Sequence, residues 1–137
     1  MSIKQISVFI ENKPGHLADF TCMLAENNIN IRALSIADTQ DYGVLRLILE
    51  NPDEAEVTIK KNGYVCTVNK VLAVVIEDKP GSLAKVLKVL ADSDIEVEYV
   101  YAFNTNIENS AYMVFRVNDN VTAKEVLTAN GIAVVEN

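Results

Sequence analysis

The chain of 137 residues has no tryptophan, one histidine, two cysteines, three prolines and five glycines. A single histidine cannot build a histidine metal cluster. No Ser-His-Asp or Cys-His set, no Gly-rich phosphate loop and no metal-ligand spacing accompanies it, so neither catalysis nor a cofactor is expected. Cys22 lies in a helical pattern and Cys66 in a strand pattern, and both are expected as buried thiols. Scarce proline and glycine leave no flexible linker. Positive charge is also short: 12 lysines and arginines face 19 acidic residues, for a net charge of −7. Nucleic-acid backbones demand concentrated positive charge, so direct nucleic-acid binding is disfavoured. No apolar run approaches the roughly 18–20 residues of a membrane span. The N-terminal Met1-Ser2-Ile3-Lys4-Gln5-Ile6 has no signal-peptide apolar core. A cytoplasmic location is the expectation, with no membrane partner.

What is present is said twice. Ile10-Glu11-Asn12-Lys13-Pro14-Gly15-His16-Leu17-Ala18 returns 66 residues later as Ile76-Glu77-Asp78-Lys79-Pro80-Gly81-Ser82-Leu83-Ala84. Ile29 and Ile31 match Ile95 and Val97 at the same offset. Further on the offset becomes 68, with Asn62-Gly63 matching Asn130-Gly131, so two residues are inserted around Asn104 to Asn109. A period this long exceeds the usual repeat of a solenoid, about 20–50 residues. Domain duplication fits better, with domains at 1–69 and 70–137. A unit this small buries only about 60% of its unfolded surface, so the copies are expected to pack on each other and on a second chain as a homodimer. Thr67-Val68-Asn69-Lys70-Val71 joins them without a linker.

Each copy shows the same order of patterns. Ile6, Val8 and Ile10 alternate as in a half-buried strand, while Val71 to Ile76 is apolar on both faces. Leu17, Phe20, Thr21, Leu24 and Ala25 recur at helical spacing, as do Leu83, Val86, Leu87, Leu90 and Ala91. A second strand follows, in which Ile95, Val97, Tyr99, Tyr101 and Phe103 are expected on one face. Asp41-Tyr42-Gly43 reads as a hairpin turn. Weaker helices are expected near Pro52 to Lys61 and Val121 to Ala129, each ended by Asn-Gly. Val65 to Val68 and Ile132 to Val135 close the units. The fold class is therefore α+β: two ferredoxin-like β-α-β-β-α-β units, antiparallel sheets with helices on one face. Strand two should be an edge, and edges invite pairing. The copies are expected side by side in one eight-stranded sheet.

These residues resemble the ACT domain, a small regulatory module of amino-acid metabolism. The resemblance rests on the apolar strand, the Lys-Pro-Gly bend, the helix, and Asn28-Ile29-Asn30-Ile31 leading into strand two. It covers essentially the whole chain. It implies a free amino acid bound where two units meet, with occupancy regulating a catalytic partner. The motif is similar to the serine-sensing regulatory domain of phosphoglycerate dehydrogenase. In that family one Asn before the bend and one at strand two hold the effector; they fall on Asn12 and Asn30. The second copy has Asp78 and Glu96, and Ile10 and Ile76 stand where that family has a histidine. Serine specificity is therefore not carried over.

The resemblance makes Asn12, Lys13, Pro14, Gly15, His16, Leu17, Asn30 and Ile31 the candidate ligand-binding residues of the first copy. Asp78, Lys79, Pro80, Gly81, Ser82, Leu83, Glu96 and Val97 are those of the second. Physically, a helix start offers unpaired N–H groups to a carboxylate. Glycine lets a ligand approach the backbone, and proline stiffens the turn. Asparagine both donates and accepts, whereas ionised Asp or Glu only accepts. Asp78 and Glu96 would favour an ammonium, hence a polar or basic amino acid. Against this stands a plainer role for Pro-Gly, as the sharp strand-to-helix turn alone. The ferredoxin-like fold also hosts acylphosphatases, but neither bend carries their arginine. Two non-catalytic readings remain: an amino-acid sensor, or a regulatory subunit of a separate enzyme, as in the small subunit of acetolactate synthase.

Overall fold

The computed structural model describes residues 3–38 and 42–135. The chain divides into two compact units, Lys4–Asn69 and Lys70–Asn137 with Met1–Ile3. The first holds β1 (Ile3–Glu11), α1 (His16–Glu26), β2 (Ile31–Asp38), β3 (Tyr42–Leu49) and α2 (Pro52–Lys61). Strand β4 (Val65–Glu77) follows. The second adds α3 (Ser82–Asp92), β5 (Val97–Phe103), β6 (Ser110–Val117), α4 (Asn120–Ala129) and β7 (Ala133–Val134).

Seven strands are found among the described residues, not the eight expected. The closing strand of one unit and the opening strand of the next run on as the 13-residue β4. No glycine or proline lies between Val65 and Glu77 to turn the chain, so it stays extended. Strand order is β2-β3-β1-β4 in the first unit. In the second it is β5-β6-β4, with β7 also paired to β4. β2 and β5 each end their order, as expected of strand two. The expected hairpin turn falls partly on Asp41, outside the described residues; Tyr42 and Gly43 already pair with Glu11 and Ile10.

Each unit has its own core on the helix side of its strands. In the first, Ile6, Val8, Leu45 and Leu47 meet Phe20 and Leu24 of α1 and Ala55 and Ile59 of α2. The ring of Tyr64 meets that of Phe20 edge-on at 4.9 Å between centroids. In the second, Leu72, Val74, Phe115 and Val117 meet Val86 and Leu90 of α3 and Ala123 and Leu127 of α4. Burial of side chains this large is the main favourable term in folding. Leu17 and Ala25, expected in the helical core, are exposed, and Met23 is buried instead.

Two β-bulges correct the expected faces of strand two. Register shifts occur between Ile31 and Ala33 and between Val97 and Tyr99. A bulge inserts one residue and resets the alternation. Ile95 and Val97 therefore stay with the core, whereas Tyr99, Tyr101 and Phe103 pair with Arg116, Val114 and Tyr112 on the other face. There Tyr99 stacks near Tyr101, and Phe103 on Tyr112 at 5.4 Å.

Helix ends follow local chemistry. Asp119 accepts from the Thr122 N–H at 3.0 Å and from its hydroxyl, capping α4. Gly63 and Gly131 take φ +88° and +75° after α2 and α4. Asn28 and Asp94 take the same left-handed conformation after α1 and α3.

Candidate functional site

The bend between strand and helix is built twice from the same hydrogen bonds. The Lys13 N–H donates to the Glu11 carbonyl at 2.9 Å, and the His16 N–H to the Lys13 carbonyl at 3.2 Å. The Asp19 N–H then donates to the Gly15 carbonyl at 2.8 Å. In the second copy Lys79 bonds Glu77, Ser82 bonds Lys79 and Lys85 bonds Gly81, at 3.0, 3.4 and 3.0 Å. Gly15 has φ +87° and Gly81 φ +90°, where an L side chain is strained. A Cβ at either glycine would meet nothing within 4 Å. The glycines are thus demanded by backbone conformation, and the space over them is open. Neither α1 nor α3 has a side-chain N-cap hydrogen bond.

Each bend carries an ion pair that sequence reasoning missed. Lys13 Nζ lies 2.9 Å from Glu11 Oε2, and Lys79 Nζ lies 2.9 Å from Glu77 Oε2. The hydrogen bond and charge of Lys13 hold the Glu11 carboxyl below the usual glutamate range. Lys79 does the same for Glu77. The repeat itself held the signal: Glu11 and Lys13 recur unchanged as Glu77 and Lys79.

A cavity adjoins each bend, on different flanks of the helix. That of the first unit has about 190 Å³. Asn12, Lys13 and Leu17 line it from the bend, with Glu11. Ile10, Ile36, Gly43 and Leu45 complete it from the β2 side. The second cavity has about 340 Å³ and is lined by Lys79, Pro80, Gly81 and Ser82 of the bend. Lys85 and Val86 of α3, with Gly131 and Ile132 after α4, close its other side. Neither Asp78 nor Leu83 lines it. The Asp78 N–H donates instead to the Asn109 carbonyl at 2.8 Å. Pro14, Gly15 and His16 stand at the first bend outside the lining of its cavity.

Asn30, Ile31, Glu96 and Val97 are not brought to the bends of their own units. Glu11, at the bend, pairs with Tyr42, and Asp38, at the end of β2, pairs with Gly43. Ile31, at the start of β2, pairs with Leu49. The seven steps from Ile31 to Asp38, at about 3.3 Å each, put roughly 23 Å between the two ends. Asn30 accepts from the Glu50 N–H at 3.2 Å. In the second unit the Glu96 N–H donates to the Asn118 side chain at 3.1 Å, in a matching corner. Ile31 and Val97 pack with the cores.

Cys66 is buried, and burial pushes its thiol up; Cys22 is exposed, against expectation, because α1 turns Phe20, Met23 and Leu24 inward. Among the described residues no group of three or more His, Cys, Asp and Glu is placed to hold a metal ion. No helix of the described residues is long and apolar enough to cross a membrane. A wider cavity of about 730 Å³ runs along α4 between Leu72, Val121 and Ala129, away from both bends.

A family model described as an ACT domain pair matches residues 1–137. Among solved structures, protein BT0572 from Bacteroides thetaiotaomicron is 38% identical, with a TM-score of 0.92 over 98% of this chain and 92% of that one. The ligand-free regulatory subunit of aspartate kinase from Thermus thermophilus is 17% identical, with a TM-score of 0.71 over 93% and 90%. The regulatory subunit from Thermus flavus is 18% identical, with a TM-score of 0.65 over 92% and 88%. At these last identities the likeness concerns the fold. A comparison with curated protein sequences finds no match.

Proposed function

Because the chain belongs to the ACT domain pair family, we propose that it is a non-catalytic regulatory protein that binds a free amino acid at its bends, where ACT units meet. The carrying observation is the bend itself: one backbone geometry, one set of turn hydrogen bonds and one ion pair, made twice, each beside a cavity. The open helix start suits the ligand carboxylate, because N–H groups there lack intrahelical partners and carry partial positive charge. Asn12, on the first cavity's wall, has the donor and acceptor that an amino acid's polar groups need.

A pocket that used both Asn12 and Asn30 would have to take them from different units, since each unit holds them at opposite ends. A homodimer is the arrangement we favour for that sharing. At the second bend Lys79 is paired with Glu77, and Lys85 on the cavity wall argues for a polar rather than a basic ligand, whatever Asp78 and Glu96 contribute. Calorimetric titration with the free amino acids tests the proposal. At least one should bind saturably, and Asn12→Ala should weaken that binding at least tenfold. No binding by any of them refutes it.

A second reading has its own support. The fold follows proteins described as regulatory subunits of aspartate kinase over more than nine-tenths of this chain. A regulatory subunit for a separate enzyme of amino-acid metabolism is therefore the alternative. A catalytic protein that co-purifies with this chain, and whose activity responds to it, would favour that reading.

A further inference from the structure

The geometry points to a small aliphatic side chain as what the first bend selects in its amino-acid ligand. This rests on the proposed function and goes beyond it, to the ligand's class. The cavity of about 190 Å³ beside that bend has two chemically distinct parts. Its polar part is the bend, with Asn12 and the Glu11–Lys13 ion pair. Its other wall is apolar: Ile10, Leu17, Ile36 and Leu45.

Leu17 and Ile36 are large hydrophobic side chains left 38% and 47% exposed. They come from different elements, α1 and β2, and meet at this cavity. Water there has no polar partner on the apolar wall, so an apolar group that displaces it gains affinity.

Size narrows the choice. Bulk water occupies about 30 Å³ per molecule, so the cavity corresponds to about six waters. That is below the range of about 300–1,000 Å³ typical of larger ligands. A short branched side chain matches that volume more closely than an indole or a long basic chain does. A basic chain would also put its charge against the aliphatic wall, unpaired.

Gly43 sets one limit of this space. It has no positive φ, so its backbone tolerates alanine. A Cβ there would instead meet Ile36 Cγ2 at 3.2 Å, and Ile36 would have to move. Gly43 and Ile36 therefore act together as specificity-determining residues. The second bend has no counterpart of the Ile36–Gly43 wall: its cavity lies on the other flank, where Lys79, Lys85 and Glu77 line it beside Val75, Ile76 and Ile132.

The test is calorimetry of the full chain with alanine, valine, leucine, methionine, phenylalanine, lysine and arginine, with amide NMR shifts to locate binding. Valine or alanine should bind at least tenfold tighter than phenylalanine, lysine or arginine, with shifts at Leu17 and Gly43. Ile36→Ala, at a half-exposed position that should tolerate it, should move the preference towards leucine or methionine by about tenfold, the usual scale for a methylene in an apolar pocket. Gly43→Ala should weaken valine binding. Tight binding of a basic or aromatic amino acid with shifts at Leu17 and Gly43 overturns this inference while leaving the bend as an amino-acid site. So does an unchanged ranking in Ile36→Ala. Absence of binding by every amino acid overturns the proposed function and this inference together.

Discussion

Lys79 holds the Glu77 carboxylate at 2.9 Å across the second bend, as Lys13 holds Glu11 across the first. The pair ties the end of the strand to the residue just before Pro-Gly. It also leaves each bend with a carboxylate already committed to a cation. The lysines are thus not bare charges waiting for a ligand carboxylate, and the open helix start is the better anion partner.

These pairs set a pH dependence. Both carboxyls are held below the usual value near 4.5, first by the lysine hydrogen bond and then by its charge. A depressed folded-state value means that the pair's stabilisation is present above the unfolded value and is lost as pH falls through the folded one. Carboxyl NMR titration should find Glu11 and Glu77 ionising below the usual glutamate range. Lys13→Met and Lys79→Met should return each to the ordinary range. The effect on stability should be small and weaken with salt, because both pairs are exposed.

Backbone conformation at the bends gives a second expectation. Gly15→Val and Gly81→Val should each destabilise by about 1–2 kcal/mol, the scale of left-handed strain in a residue with a Cβ. Asparagine should cost less at both positions, since asparagines at 28 and 51 already adopt φ +57° and +52°. Urea midpoints measure the difference. Equal costs for valine and asparagine would contradict a conformational role for these glycines.

The bend was legible because both copies spell it alike. The helices were legible from apolar spacing, and the ends of α2 and α4 from Asn-Gly. The faces of strand two were not, because a bulge changes the side-chain alternation without a required residue type: Ile31 and Val97 look no different from unbulged neighbours. The continuous β4 was hidden for the opposite reason. Nothing in Thr67 to Val71 marks a break, and a duplicated unit invites one to be assumed. The cavity walls Ile36 and Gly43 are not legible because they come from elements distant in sequence, and Lys85 because the bend motif ends one turn before it. The resemblance groups Asn12 with Asn30, and only strand register reveals that one unit holds them at opposite ends.

The two thiols should react differently. Cys22 is exposed on α1, while Cys66 sits in the first core with its thiol pushed up by burial. Since the thiolate is the reactive form, a maleimide or aromatic disulfide reagent should label Cys22 quickly and Cys66 only on unfolding. Cys22→Ser should abolish the fast phase. Fast labelling that survives Cys22→Ser would contradict the packing of Cys66 against α1 and α2.

The central claim is that the repeated bend is an amino-acid site. A thermal-shift screen of the full chain against the free amino acids tests it most directly. At about one hundred times its Kd, a ligand stabilises the folded state by about 2.7 kcal/mol. The account predicts a clear rise in melting temperature with at least one amino acid, and a smaller rise in Asn12→Ala at the same concentration. A melting temperature unmoved by every amino acid at millimolar concentration would contradict it.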